Sequence, residues 1–162
     1  AETGRWPRAR LLQLARDFEL PAALAERAAE MAARILAGEG AWAWDAGAVD
    51  AAMDEAPIVH RGQTLRIDRL VRRAAGPESA AQWWVLDYKS AASPERQAEL
   101  VEQMRRYRAA VQGQFPGETV RAAFLTGDGR MVEVDSPDAG SGRPAQPLPS
   151  PTPAPRKAPA PE

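Results

Sequence analysis

Two acidic residues and one lysine in the middle of the chain could form a metal-binding site. The segment from Trp83 to Ser90 is apolar until it reaches Asp87 and Lys89. In a β-strand, residues two positions apart project from the same face, about 7 Å apart. Asp68 occupies the preceding strand-like segment, and carboxylate oxygens are the ligands that Mg²⁺ and Mn²⁺ prefer. These residue types therefore predict a metal-assisted reaction.

The connection between the two segments indicates how the carboxylates could meet. A hairpin centred between Pro77 and Glu78 places Asp68 directly opposite Asp87, with Cβ atoms about 5 Å apart. Two like charges facing each other destabilise a sheet unless a cation lies between them or one is protonated. A divalent metal resolves this conflict, although a slip of one residue would turn Asp68 to the other face.

Ordinary ion pairs on the surface of a sheet are the alternative interpretation. Asp68 would then pair with Arg66 or Arg69, and Asp87 with Lys89, at almost no net energy. Lysine is scarce, because the chain has 19 arginines but only Lys89 and Lys157. Lys89 thus has two explanations: its chemistry requires a lysine rather than an arginine, or the lysine is there by chance.

Composition limits the other kinds of site. The 162 residues include no cysteine and a single histidine, His60, and the net charge is -1. Disulfides, thiolate zinc sites and metal sites with several histidines are therefore excluded.

Residues 61–108 carry ten basic and six acidic residues, and this local surplus of positive charge predicts a basic face that binds a polyanion. No apolar run is long enough to cross a membrane, and no phosphate-binding loop of the G-x-x-x-x-G-K-[ST] type is present.

The elements that must position these residues follow from hydrophobic periodicity. We predict an α/β fold with a mixed central sheet flanked by helices. Residues 1–52 are predicted to be helical, with Trp42-Ala43-Trp44 packing after the last helix (the tryptophan plug). Residues 53–135 are predicted to form the core. Residues 136–162 hold nine of the 15 prolines and read as a disordered tail.

Within the core, the pattern predicts helices, three strands, a helix and two strands. The strands are expected at 58–60, 64–71 and 82–89, with the first turn at Arg61-Gly62. Ser93-Pro94 should begin a helix that continues to about Gln112. Its inner face should comprise Leu100, Met104, Tyr107 and Val111. A closing hairpin, 119–126 and 130–135, should turn at 127–129.

One combination of motifs is similar to a known family. Ile67-Asp68, then Leu86-Asp87-Tyr88-Lys89-Ser90 nineteen residues on, resembles the signature of the PD-(D/E)XK nucleases. Gln103 and Tyr107 on the following helix resemble the Q-x-x-x-Y motif of the nuclease domains of RecB- and AddA-type helicase-nucleases. The resemblance implies a restriction-endonuclease-like core with an αβββαβ order and a Mg²⁺- or Mn²⁺-dependent deoxyribonuclease.

The resemblance also assigns roles. Asp68, Asp87 and the main-chain carbonyl of Tyr88 would bind the metal, with Glu55 as a further possible ligand. Lys89 would orient the attacking water and stabilise charge on the scissile phosphate. Four further residues would support the active site or contact DNA; these are Gln103, Tyr107, Arg105 and Arg66.

The chain departs from that family in one respect. Relatives carry a metal-binding histidine on an N-terminal helix, whereas residues 1–52 contain none. We therefore expect a C-terminal fragment of a larger bacterial helicase-nuclease, cytoplasmic and associated with the nucleoid. Its partners would be DNA, as single strands or duplex ends, and a helicase domain of the parent chain or a partner subunit.

The alternative function is a catalytically degenerate module that binds DNA or braces a helicase. A small hydrolase that uses His60 as its base is disfavoured, because the chain lacks a nucleophile motif.

Overall fold

The chain folds as an α/β protein with a five-stranded mixed sheet flanked by helices. The computed structural model describes residues 8–19 and 21–136, so the predicted tail, 136–162, lies outside the described residues except for Ser136. The elements are α1 (Arg8–Asp17), α2 (Ala22–Ala37), a 3₁₀ turn (Ala41–Trp44), β1 (Val49–His60), β2 (Gln63–Arg73), β3 (Gln82–Lys89), a second 3₁₀ turn (Pro94–Arg96), α3 (Ala98–Gln114), β4 (Thr119–Thr126) and β5 (Met131–Glu133). The predicted order of helices, three strands, a helix and two strands is confirmed.

The strands lie in the sheet in chain order, from β1 to β5. All neighbours are antiparallel except β3 and β4, which run parallel. A parallel pair needs a long crossover, and α3 supplies it. The carboxyl ends of these two strands lie side by side, with Lys89 next to Thr126.

Each face of the sheet carries its own apolar core, which we call the α3-side core and the α2-side core. Val85 belongs to the α3-side core together with Met104, Tyr107 and Val111 of α3. Trp84 and Leu86 belong to the α2-side core, which includes Ile35 of α2 and the predicted tryptophan plug. The predicted alternation of β3 and the predicted inner face of α3 are both confirmed.

The β1–β2 hairpin turns tightly and then bends. Arg61 and Gly62 both have positive φ, 49° and 76°, as a two-residue type I′ turn requires. Further along, both strands change faces at one level of the ladder. Ile67 packs in the α3-side core, whereas the side chain of Arg69 reaches the carbonyl of Ala43 on the α2 side. The exchange occurs at Asp68 and at Glu55, which has a φ of 51°.

The bounds of several elements differ from the prediction: β2 is longer, β5 is shorter, and β1 and α3 differ most. Strand β1 begins at Val49, so the helical prediction for 49–52 is wrong; the first half of this edge strand is exposed and has no apolar alternation to reveal it. The signal at Ser93-Pro94 starts only a 3₁₀ turn. Gln97 is extended, with a φ of -98° and a ψ of 106°, and α3 begins after it at Ala98.

Helix α2 contacts the sheet through its C-terminal end. The amide of Glu39 donates to the carbonyl of Gly129 at 2.9 Å, and its carboxylate accepts from the amide of Met131 at 2.7 Å. A Cβ on Gly38 would overlap the carbonyl of Gly129, so this close approach requires glycine. Among the described helices, none has the length and apolarity to cross a bilayer.

Candidate active site

Asp87 is a buried carboxylate at the end of a buried strand. Its residue is only 4% exposed, and it follows the fully buried Val85 and Leu86. A carboxylate removed from water is costly unless other groups compensate its charge. The neighbours of Asp87 therefore decide what this position can do.

Asp68 is the first of these neighbours. The β2–β3 hairpin has the predicted register, from Arg73 opposite Gln82 to Arg69 opposite Leu86. The ladder ends there, and Asp68 and Asp87 are the next residues of the two strands; the amide of Tyr88 donates to Oδ2 of Asp68 at 2.9 Å. The predicted register of the hairpin is thus confirmed.

The alternative ion pairs of Asp68 are wrong. Arg66 pairs with Glu55 instead, and Arg69 lies 2.6 Å from Asp54. Within residues 8–19 and 21–136, Asp68 forms no ion pair at all, so no basic side chain neutralises it.

Lys89 is the second neighbour and the only cation paired with Asp87 in the described structure. Its Nζ lies 2.7 Å from Oδ2 of Asp87, with side-chain exposures of 24% and 6%. Oδ2 has no partner aligned as a hydrogen bond, so the contact is an ion pair without hydrogen-bond geometry. The alternative prediction of an Asp87–Lys89 pair is confirmed, and this ammonium is paired with only one of the two carboxylates.

The electrostatics of Asp87 reflect this imbalance. Burial raises the pKa of Asp87 to about 6, Lys89 opposes the shift, and the charge of Asp68 adds to it. A buried carboxylate beside a like charge favours its neutral form. The pair therefore binds a proton more readily than an ordinary aspartate, and a cation would compete for the same oxygens.

Glu55 does not complete a three-carboxylate site. Its side chain is 70% exposed and pairs with Arg66. In the described part of the chain, no group of three or more histidine, cysteine, aspartate or glutamate side chains could hold a metal ion. The donors that do come together are Asp68 and Asp87, with the Tyr88 carbonyl as the predicted third. Two carboxylates and an incompletely satisfied buried oxygen fit a hard cation that keeps several waters, as Mg²⁺ does.

Gln103 and Tyr107 contact each other on α3. The side-chain amide of Gln103 donates to the hydroxyl of Tyr107 at 2.9 Å. Tyr107 is buried in the α3-side core. Neither residue hydrogen-bonds to Asp68, Asp87 or Lys89 in the described structure, so their proposed support of the site stays a prediction.

Most of the predicted basic centre is neutralised internally. Arg105 binds Asp135 through two nitrogens, at 2.7 and 3.0 Å, and so joins α3 to the end of β5. The other ion-paired basic residues of 61–108 are Arg66, Arg69, Arg72, Lys89 and Arg108. Their acidic partners lie mostly outside that window, which is why the local charge count overstated the basic surface.

A cluster around Arg69 was not predicted. This arginine is 6% exposed; it donates to Asp54 at 2.6 Å and to the carbonyl of Ala43 at 2.8 Å. Its guanidinium lies 4.6 Å from the ring centre of Trp44, which stacks on Tyr88. The signal was available, because a hairpin turning at Arg61-Gly62 places Asp54 opposite Arg69.

A comparison with protein-family models finds no match, and a comparison with curated proteins finds none either.

Proposed function

We propose that this chain is the nuclease domain of a helicase-nuclease and that it hydrolyses DNA phosphodiesters with Mg²⁺ or Mn²⁺. The observation that carries the proposal is the position of Asp68 beside Asp87, with Lys89 paired to Asp87. The order of elements around them supports a restriction-endonuclease-like core, in which three antiparallel strands precede a helix and a parallel strand.

The chemistry follows from the donors that the two strands bring together. Asp68, Asp87 and the carbonyl of Tyr88 would hold the cation. A bound divalent cation lowers the pKa of water and neutralises phosphate oxygens. Lys89 lies on the solvent side of Asp87, since it is the more exposed of the two side chains. Its ammonium can donate hydrogen bonds to the attacking water and to a phosphate oxygen.

The ion pair also gives Lys89 a role before substrate arrives. With no cation present, its ammonium is the counterion of the buried Asp87. A cation bound by the carboxylates would neutralise Asp87 in place of Lys89. The ammonium of Lys89 would then be free to interact with the phosphate. A lysine suits this exchange better than the planar fork of an arginine.

The first prediction concerns Asp87→Asn, which keeps the shape of the side chain and removes its charge. We expect the wild type to cleave linear single-stranded DNA in Mg²⁺ or Mn²⁺, and the variant to lose at least about 100-fold in rate. Cleavage is measured on a labelled strand, with a chelator as the blank.

Glu78→Gln is the matched control, because Glu78 is exposed in the connection of the same hairpin and forms no ion pair in the described structure. It should retain the wild-type rate. Equal cleavage by the wild type and the Asp87 variant would exclude the proposed site.

A catalytically degenerate module that binds DNA or braces a helicase is the second candidate. It is favoured by the exposed Glu55, which pairs with Arg66 rather than with the carboxylate pair. Calorimetric titration with Mn²⁺ separates the two functions. Binding to the wild type but not to the Asp87 variant supports the nuclease, whereas equal absence of binding supports the degenerate module.

A further inference from the structure

A cavity lies on the opposite side of β3 from the carboxylate pair. Its volume is about 710 Å³, within the range of about 300–1,000 Å³ typical of ligand pockets. One wall is the apolar stripe of α2; the other is the stacked pair Trp44 and Tyr88. We call this cavity the α2 groove, and its lining includes Leu24, Ala28, Met31, Leu36, Trp44 and Tyr88.

The groove leaves apolar and aromatic surface open to solvent. Leu24 is 50% exposed, Leu36 is 42% exposed and Tyr88 is 37% exposed. The rings of Trp44 and Tyr88 are nearly parallel, with an angle of 22° and centres 6.3 Å apart. Such a surface accepts a flat, partly polar ring.

Charged groups at the rim indicate which kind of ring. Arg27 lines the groove and forms no ion pair in the described residues. An adjoining cavity of about 350 Å³ shares Arg27 and Ser90 and adds Glu30, Arg34 and Asp128. Glu30 pairs with Arg34, and Asp128 pairs with Arg130, so Arg27 is the uncompensated charge. An aromatic floor with a free guanidinium at its edge matches a base and its phosphate.

The groove also borders the end of β3 that carries the candidate active site. Ser90 lines the groove and directly follows Lys89 in the chain. Both sites lie at the carboxyl end of the parallel strands β3 and β4, where open α/β sheets commonly bind ligands. The groove and the carboxylate pair therefore flank the same end of β3, on its two faces.

We infer that the α2 groove binds an unpaired base of the DNA strand whose phosphate lies at Asp68 and Asp87, and so selects single-stranded over duplex substrate. The inference rests on the proposed function, because it takes DNA as the substrate. Bases of a duplex are stacked and paired, and they cannot enter the groove without unpairing at a cost. Base stacking on aromatic side chains is tolerant of sequence, so any base would serve.

The test measures binding without metal, so that cleavage does not contribute. Fluorescence anisotropy of labelled oligothymidylate is recorded in a chelating buffer for the wild type and for Ala28→Trp, which fills the exposed groove. The variant should bind about tenfold more weakly. Ala23→Trp is the matched control on an exposed part of the same helix outside the groove, and it should bind within about twofold of the wild type.

Two further probes identify the group that is bound. A strand of the same length without bases should bind the wild type about tenfold more weakly than oligothymidylate does. The wild type and Ala28→Trp should bind this strand with equal affinity. A blunt duplex should show the same weak binding. Equal affinity for duplex and single strand, or equal loss in the two tryptophan variants, would overturn the inference.

These outcomes are distinguishable from those of the nuclease assay. Selective binding in the groove together with an inactive enzyme keeps the inference and rejects hydrolysis at Asp87. Metal-dependent cleavage together with unchanged binding by Ala28→Trp keeps the proposed function and rejects the groove.

Discussion

The two faces of the sheet each bury a charged cluster, and the clusters are built in opposite ways. On the α2 side, the buried Arg69 contacts a carboxylate, a main-chain carbonyl and an aromatic ring. On the α3 side, the buried Asp87 has one ammonium as its partner and lies beside the second carboxylate of Asp68. The first arrangement satisfies its charge with parts of the fold, whereas the second leaves negative charge for something else to neutralise.

This difference distinguishes a cluster that stabilises the fold from the cluster for which we propose a function. A buried ion that is hydrogen-bonded on several sides stabilises the arrangement of its partners, and removing it leaves them unpaired. A buried ion beside a like charge costs stability, and such imbalance is typical of sites that bind a proton or a metal. The two clusters should therefore respond to neutralisation with opposite signs.

The largest expected effect is on the Arg69 cluster. We expect Arg69→Met to lower the free energy of unfolding by about 3 kcal/mol, because the carbonyl of Ala43 loses its donor and Trp44 loses its cation. Asp54 is 65% exposed, so water recovers part of the loss. Urea unfolding at neutral pH measures the change.

Arg106→Met is the control, since Arg106 is exposed on α3 and forms no ion pair in the described structure. A loss in Arg69→Met no larger than in this control would show that the cluster does not stabilise the fold.

The opposite sign is expected for Asp87→Asn in metal-free buffer. Folding raises the pKa of Asp87 from 3.8 to about 6, so the protonated acid stabilises the native state. That stabilisation is complete below pH 3.8 and is lost as the pH rises through about 6. The neutral variant should therefore be more stable than the wild type at pH 8, by up to about 2 kcal/mol, and equal to it near pH 4.

Urea unfolding across this pH range tests the sign. A variant less stable than the wild type at pH 8 would mean that the Lys89 ion pair outweighs the burial of the charge.

The smallest effect concerns the bend where the two strands change faces. Glu55 has a φ of 51°, which favours glycine over residues with a Cβ. We expect Glu55→Gly to be more stable than Glu55→Ala by about 1 kcal/mol. Both variants lose the ion pair with Arg66, so their difference isolates the backbone term. Thermal unfolding of the two variants measures this difference in stability. Equal midpoints would show that the positive φ at residue 55 does not cost stability.

Local signals were sufficient to predict much of the fold. Strand β3 was predicted with its observed bounds, because an apolar run between turn residues defines a buried strand. The position of Asp68 beside Asp87 followed from the turn at 74–79, which fixes the register of its hairpin. The inner face of α3 followed from helical spacing.

The features that were missed depend on contacts between distant segments. The first half of β1 carries no apolar alternation, because both of its faces are exposed. Arg72 was counted as free basic charge, yet Asp50 and Glu118 neutralise it from opposite sides. The change of faces at Glu55 is a backbone conformation that its residue type does not favour.

The connectivity of the sheet has a consequence for the order of folding. Asp68 and Asp87 meet across a single hairpin, so their contact closes a short loop. Strands β3 and β4 can pair only after the α3 crossover is in place, and loop-closure entropy makes such pairings slower. The carboxylates should therefore come together while still hydrated and lose their water only when the parallel pair forms. A cation that binds early would then act as a folding ligand, holding the hairpin while the rest of the core closes.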